Sequence, residues 1–85
     1  MFLMLTDIDK NMMIKFLEKN YHVSRIKHNM RFRRGIMFDD GKSYLLGDKS
    51  QELIIKHKLI DLIKLFFSCD DEASVYIVNS YLHSK

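Results

Sequence analysis

The chain reads as an α+β domain of order α-β-β-β-α-α, a small three-stranded antiparallel sheet with helices packed on one face. Three observations predict this. Apolar residues recur at helical spacing near both ends of the chain, the stretch 21–38 loses that period and gains β-branched and aromatic residues, and an Asp-Asp-Gly turn follows it. At 85 residues, positions 1–85 have room for one domain. The composition, 47% hydrophobic and 29% charged with three Gly and no Pro, excludes disordered, collagenous and linker-rich classes.

Thr6, three residues before Asp9, forms a capping box, and Ile8, Met12, Met13, Phe16 and Leu17 then mark one stripe of a helix over about 7–19. Asn20 ends it, because Asn tolerates the left-handed conformation at a helix C-terminus. Two strands follow, roughly 21–27 and 31–38, with Asn29 at the turn between them. Phe38-Asp39-Asp40-Gly41-Lys42 is a hairpin signal, since Gly supplies positive φ, and a short third strand occupies 43–46. The stretch 50–67 returns to helical spacing behind an Asp48 or Ser50 cap, with ten apolar residues among eighteen. His57, Lys58, Asp61 and Lys64 gather on one arc of about 120° of its helical wheel. The apolar arc left over must therefore be covered on two sides, by the sheet and by the last segment, and a homodimer through helix 50–67 is a further reading of it. That last segment, 70–84, starts at a Ser68/Asp71 capping box and lines a face with Val75, Val78, Tyr81 and Leu82. Val75-Tyr76-Ile77-Val78 is open to an alternative reading as a strand.

The net charge of +3 is unevenly spread. Between Glu18 and Asp39 lie twenty residues without a carboxylate, holding Lys19, Arg25, Lys27, Arg31, Arg33 and Arg34. That stretch carries +6, so the rest of the chain carries −3. Every arginine of the protein falls within it. A guanidinium donates bidentately to phosphate or carboxylate, so a concentration of Arg favours a specific anionic surface. Strand alternation puts Arg31 and Arg33 on one face and Phe32, Ile36 and Phe38 on the other, so Arg34 joins its neighbours only through a bulge, expected at Gly35. His28 and His22 lie in the same stretch, and Tyr21 beside the hairpin offers a ring for base stacking. The bland reading of this face is a charged sheet edge that resists aggregation. The functional reading is a dock for a polyanion: nucleic acid, with RNA placed ahead of DNA, or an acidic surface of a host nucleoprotein complex.

Other chemistry-bearing residues have structural readings that outweigh functional ones. Asp70-Asp71-Glu72 complements a helix dipole more readily than it binds a cation, and Asp39-Asp40 is a turn pair. Cys69, the sole cysteine, forms no internal disulfide, reads as an ordinary buried thiol and points to a reducing, cytoplasmic compartment. His57 and His83 read as surface residues, and the Met-rich start as core filler. The opening Met1-Phe2-Leu3-Met4-Leu5 lacks the basic flank of a signal peptide, and Lys or Asp interrupts every apolar run before membrane-spanning length. No zinc spacing, P-loop, dinucleotide fingerprint or Ser-His-Asp pattern is present, so neither a metal nor a cofactor is expected. Abundant Lys, Ile and Met without Trp or Pro is typical of AT-rich coding sequences such as those of many phages.

The order of elements is similar to that of two families. Residues 13–46, from Met-Ile-Lys-Phe-Leu-Glu-Lys-Asn through Tyr-His-Val-Ser-Arg-Ile-Lys-His to Asp39-Asp40-Gly41-Lys42, look like the start of HicA-type toxins, small ribonucleases with a double-stranded-RNA-binding-like fold. By that resemblance His28 takes the place of the catalytic histidine, although Ile26-Lys27 stands where those toxins carry Gly-Ser. Among Arg25, Lys27 and Arg31 it has the residue types that acid–base cleavage of RNA requires. The complete order, with its last helix, is similar to that of small phage anti-CRISPR proteins, one of which is an acidic DNA mimic that blocks a Cas nuclease. The charge of residues 19–38 is opposite in sign, so the resemblance implies an inhibitor that grips nucleic acid or an acidic groove. The expectation is a non-enzymatic, phage-encoded binding protein acting through Arg25, Lys27, His28, Arg31, Arg33, Arg34 and Tyr21, with an RNA-cleaving toxin using His28 as the alternative.

Overall fold

The Thr6 hydroxyl accepts from the Asp9 backbone N–H at 3.1 Å while the Asp9 carboxylate accepts from the Thr6 N–H at 3.3 Å, so the expected capping box starts the first helix. In the structure, a computed structural model that describes residues 6–84, this helix is α1, Asp7–Asn20. The apolar opening residues 1–5 lie outside the described residues. Asn20 does not act as a left-handed stop. It stays helical, and its side-chain amide donates back to the Phe16 carbonyl at 2.9 Å. Tyr21 caps the helix instead, with φ −137.

Three strands follow, β1 Ser24–His28, β2 Arg31–Met37 and β3 Ser43–Leu45, in the antiparallel order β1-β2-β3. β1 begins three residues later than expected because Tyr21 turns into the core. Asn29 and Met30 form a two-residue loop with φ 51 and 66, the positive values whose twist suits a tight hairpin. The second hairpin closes as predicted, with Gly41 at φ 82 and the Lys42 N–H donating to the Asp40 carboxylate at 2.9 Å.

Two helices complete the order, α2 Lys49–Phe67 and α3 Asp71–His83. Asp48, not Ser50, caps α2 by accepting from the Gln51 N–H at 3.1 Å. The Ser68/Asp71 capping box does not form. Ser68 adopts the left-handed conformation that ends α2, and Asp70 caps α3 by accepting from the Ala73 N–H at 2.8 Å. Residues 75–78 are helical, with Ile77 and Val78 fully buried and Val75 and Tyr76 at the surface. A helical period explains that split, whereas a strand would alternate.

The core joins Met13 and Leu17 of α1, Ile36 of β2, Phe38, Ile55, Leu59 and Ile63 of α2, and Ile77, Val78, Tyr81 and Leu82 of α3. Each fully buried Leu or Ile contributes about 1.5–3 kcal/mol, so this cluster sets the stability of a small domain. α2 packs against β3 on one side and α3 on another, the two-sided cover its composition demanded. Leu53, Ile54, Leu65 and Phe66 of α2 nevertheless stay exposed, as do Ile8 and Met12 of the expected α1 stripe. The molecule measures 48 × 21 × 20 Å. Its elongation follows from the β1–β2 hairpin, whose residues from Arg25 to Arg34 are exposed except for the half-buried Ile26.

Candidate nucleic-acid interface

The register of the arm decides where its charges point. Arg25 pairs with Arg34, Ile26 with Arg33, Lys27 with Phe32 and His28 with Arg31, without interruption. Directly paired residues of an antiparallel ladder project to the same side. One face of the arm therefore carries Arg25, Lys27, Phe32 and Arg34, in line with Ile36, which enters the core. The opposite face carries Ile26, His28, Arg31 and Arg33.

The expectation that Arg34 joins Arg31 and Arg33 through a bulge at Gly35 is thus corrected. Gly35 pairs regularly with Ser24 on one side and Leu45 on the other. Its lack of a side chain serves a close approach: a Cβ there would press on the Tyr44 carbonyl and stand 2.7 Å from Ile26 Cδ1. Tyr21 is the second correction. It is 4% exposed, sits edge-on to Phe16 and tilted against Phe38, and donates its hydroxyl to Asp39 at 2.6 Å, so no base can stack on it. Burial, and then the Asp39 carboxylate, push its phenol up to about 12.

The ring that does face solvent is Phe32, 61% exposed, with the Arg25 guanidinium 5.2 Å from its centroid. The sequence placed Phe32 on the apolar side of the strand; it is accessible because the arm runs past the helices at that point. Arg25, Lys27, Arg31 and Arg33 make no ion pair among the described residues, and the His28 imidazole makes no hydrogen bond there. The closest like charges are the cross-strand partners Arg25 and Arg34, roughly 5 Å apart at Cβ, where like charges in water repel by about 0.8 kcal/mol. Such a cluster is cheap to hold in solvent and adds its attraction to any polyanion. Arg33 and Arg34 also line an open hollow of about 390 Å³ with Leu46 and Gly47 at the foot of the arm.

No family model, curated protein or solved structure matches the chain.

Carboxylates gather on the body rather than the arm. Asp39, Asp40 and Asp61 line an open cleft of about 310 Å³ with Tyr21, Phe38, Lys58 and Leu62. Lys58 holds Asp40 at 3.7 Å and lies 5.3 Å from the Phe38 ring centroid and 5.7 Å from that of Tyr44. The Lys42 backbone N–H, more than Lys58, keeps the Asp40 carboxyl below its usual range. Sequence reasoning missed this cleft, because only the fold brings Lys58 of α2 to the 38–42 turn. Asp70 is occupied as a cap and Asp71 pairs with Lys64, and no group of three His, Cys, Asp or Glu among the described residues is placed to hold a metal. Cys69 is half-buried with its sulfur 3.9 Å from that of Met13, and burial pushes its thiol up rather than toward a reactive thiolate. His57 and His83 are exposed. No described helix is long and apolar enough to cross a membrane.

Proposed function

We propose that this chain is a small non-enzymatic binding protein, phage-encoded, whose Arg-rich hairpin docks on a nucleic-acid-processing or defence complex of the host and inhibits it from the cytoplasm. One observation carries the reading: a projecting ribbon bears six basic or His side chains and no carboxylate between residues 25 and 34, while the acidic groups lie on the body behind it. Attraction to several phosphates is additive, and no neighbouring carboxylate on the arm offsets it. The anti-CRISPR resemblance supplies the class of target. The Arg31→Glu/Arg33→Glu variant, melted alongside wild type to check folding, is expected to lose a host complex that wild type retains in affinity purification. Comparison with and without nuclease separates a protein partner from bound nucleic acid. Recovery unchanged by the double reversal overturns the reading.

The ribonuclease alternative draws on one feature, His28 exposed at the end of β1 opposite Arg31 and on the face of Arg33. His28→Ala then removes RNA cleavage and spares RNA binding, and purified protein that never cleaves RNA eliminates it. A homodimer through α2 draws on the exposed Leu53, Ile54, Leu65 and Phe66, and light scattering at micromolar concentration decides it.

A further inference from the structure

The arrangement of the arm points to a more specific ligand. We propose that the β1–β2 arm enters the major groove of double-stranded DNA; this rests on the reading that the arm binds nucleic acid. A single-strand platform or a flat acidic partner meets one side of a sheet, and cations useful to it collect on that side. Here they are divided, with Arg25, Lys27 and Arg34 on one face and His28, Arg31 and Arg33 on the other. A ribbon charged on both faces is complementary to a cleft with two anionic walls. The major groove of B-DNA is such a cleft, about 12 Å wide and 8.5 Å deep, and admits a two-stranded ribbon.

The dimensions agree. Two sheets with interleaved side chains stack about 10 Å apart, so the backbone of a single ribbon is narrower than the groove and leaves the side chains of both faces to meet the walls. Five residues per strand reach roughly 16 Å at 3.3 Å each, beyond the groove's depth. A-form RNA has a major groove too deep and narrow for side chains to read, which separates the two duplexes. The tip suits the groove floor. Met30 is 92% exposed, and thymine methyls there offer apolar contact that phosphates do not.

The test is fluorescence anisotropy of the full chain with a labelled 20-base-pair DNA duplex, the RNA duplex of equivalent sequence, and each single strand, across a salt series. The DNA duplex is expected to bind tightest. Arg25→Ala/Lys27→Ala and Arg31→Ala/Arg33→Ala are each expected to weaken it about 30-fold at 0.15 M salt and lower the salt slope by about 1.8, as two phosphate contacts require. Dimethyl sulfate footprinting is expected to show protection at guanine N7, which lies in the major groove. Tighter binding to RNA or to single strands, loss from only one face, or unprotected N7 each overturns the groove proposal alone. Binding to none of the four nucleic acids overturns the underlying nucleic-acid reading as well, and leaves a protein surface as the ligand. Circular-dichroism melts of both variants establish that lost binding is not lost folding.

Discussion

The phenolic hydroxyl of Tyr81 on α3 donates to the backbone carbonyl of Tyr21 at 2.7 Å, across 60 residues of chain, and lies 3.3 Å from that of Leu17. The Leu17 carbonyl already accepts from the Tyr21 backbone N–H at 2.7 Å, so the Tyr81 hydroxyl serves chiefly the Tyr21 carbonyl at the C-terminal cap of α1. One buried side chain thus ties the end of the first helix to the last. Tyr81→Phe keeps the ring and removes the donor, which takes from the Tyr21 carbonyl its bond to Tyr81. The expected cost is about 2 kcal/mol, a fall in Tm of roughly 8–16 °C for a domain this size. Thermal unfolding followed by circular dichroism measures it; a change below 2 °C contradicts the tie.

The same two tyrosines make the fold sensitive to alkali. Burial raises both phenols to about 12 from the ordinary 10, with Asp39 adding to the effect on Tyr21 and Glu18 to that on Tyr81. The folded chain therefore holds these protons more tightly than the unfolded chain. Their contribution is complete below pH 10 and is lost as the pH rises from 10 through about 12. For Tyr21 the loss reaches up to about 3 kcal/mol. Tm measured from pH 8 to 12 is expected to drop steeply above 10, and Tyr21→Phe to drop less. Parallel curves for the two proteins refute the assignment.

Much of this was legible from residue order, and the exceptions share a cause. Thr6, Asp48 and Gly41 act through neighbours within a few residues, so their roles as caps and turn former were readable. Parity along β2 likewise placed Arg34 opposite Arg31 and Arg33, and the expected bulge was a departure from a rule that held. Tyr21 and Phe32 were not readable, because both are aromatic residues beside basic ones. Only the point at which the arm leaves the helices makes one core and the other surface. Ile8 and Met12 repeat at helical spacing yet face solvent, since spacing reports a shared face and not the presence of something to cover it.

Gly35 supplies a test of the register itself. Adding a Cβ there meets the Tyr44 backbone carbonyl across the sheet and Ile26 Cδ1 at 2.7 Å. Gly35→Ala is expected to cost about 1–3 kcal/mol by overpacking, read from the midpoint of urea unfolding. Trimming the softer neighbour is not expected to rescue it, because the Tyr44 carbonyl belongs to the ladder and cannot move aside. A Gly35→Ala/Ile26→Ala protein as stable as Ile26→Ala alone shows that the two strands approach less closely than described.

Met30 stands in a conformation that favours Gly, with φ 66, and its side chain is almost wholly in solvent. A left-handed non-glycine residue costs about 1 kcal/mol or more, and no packing in the body offsets that cost here. Met30→Gly is therefore expected to raise stability by about 1 kcal/mol, a gain of roughly 4–8 °C in Tm. If the tip reaches the floor of a DNA groove, the same change removes an apolar contact that salt does not screen. Affinity for duplex DNA is then expected to fall at every salt concentration while the salt slope stays constant, because no phosphate contact is lost. The pairing of higher stability with weaker binding separates a residue kept for its ligand from an accident of the loop. Met30→Gly protein that is more stable and binds DNA as wild type does places the base-edge contact elsewhere on the arm.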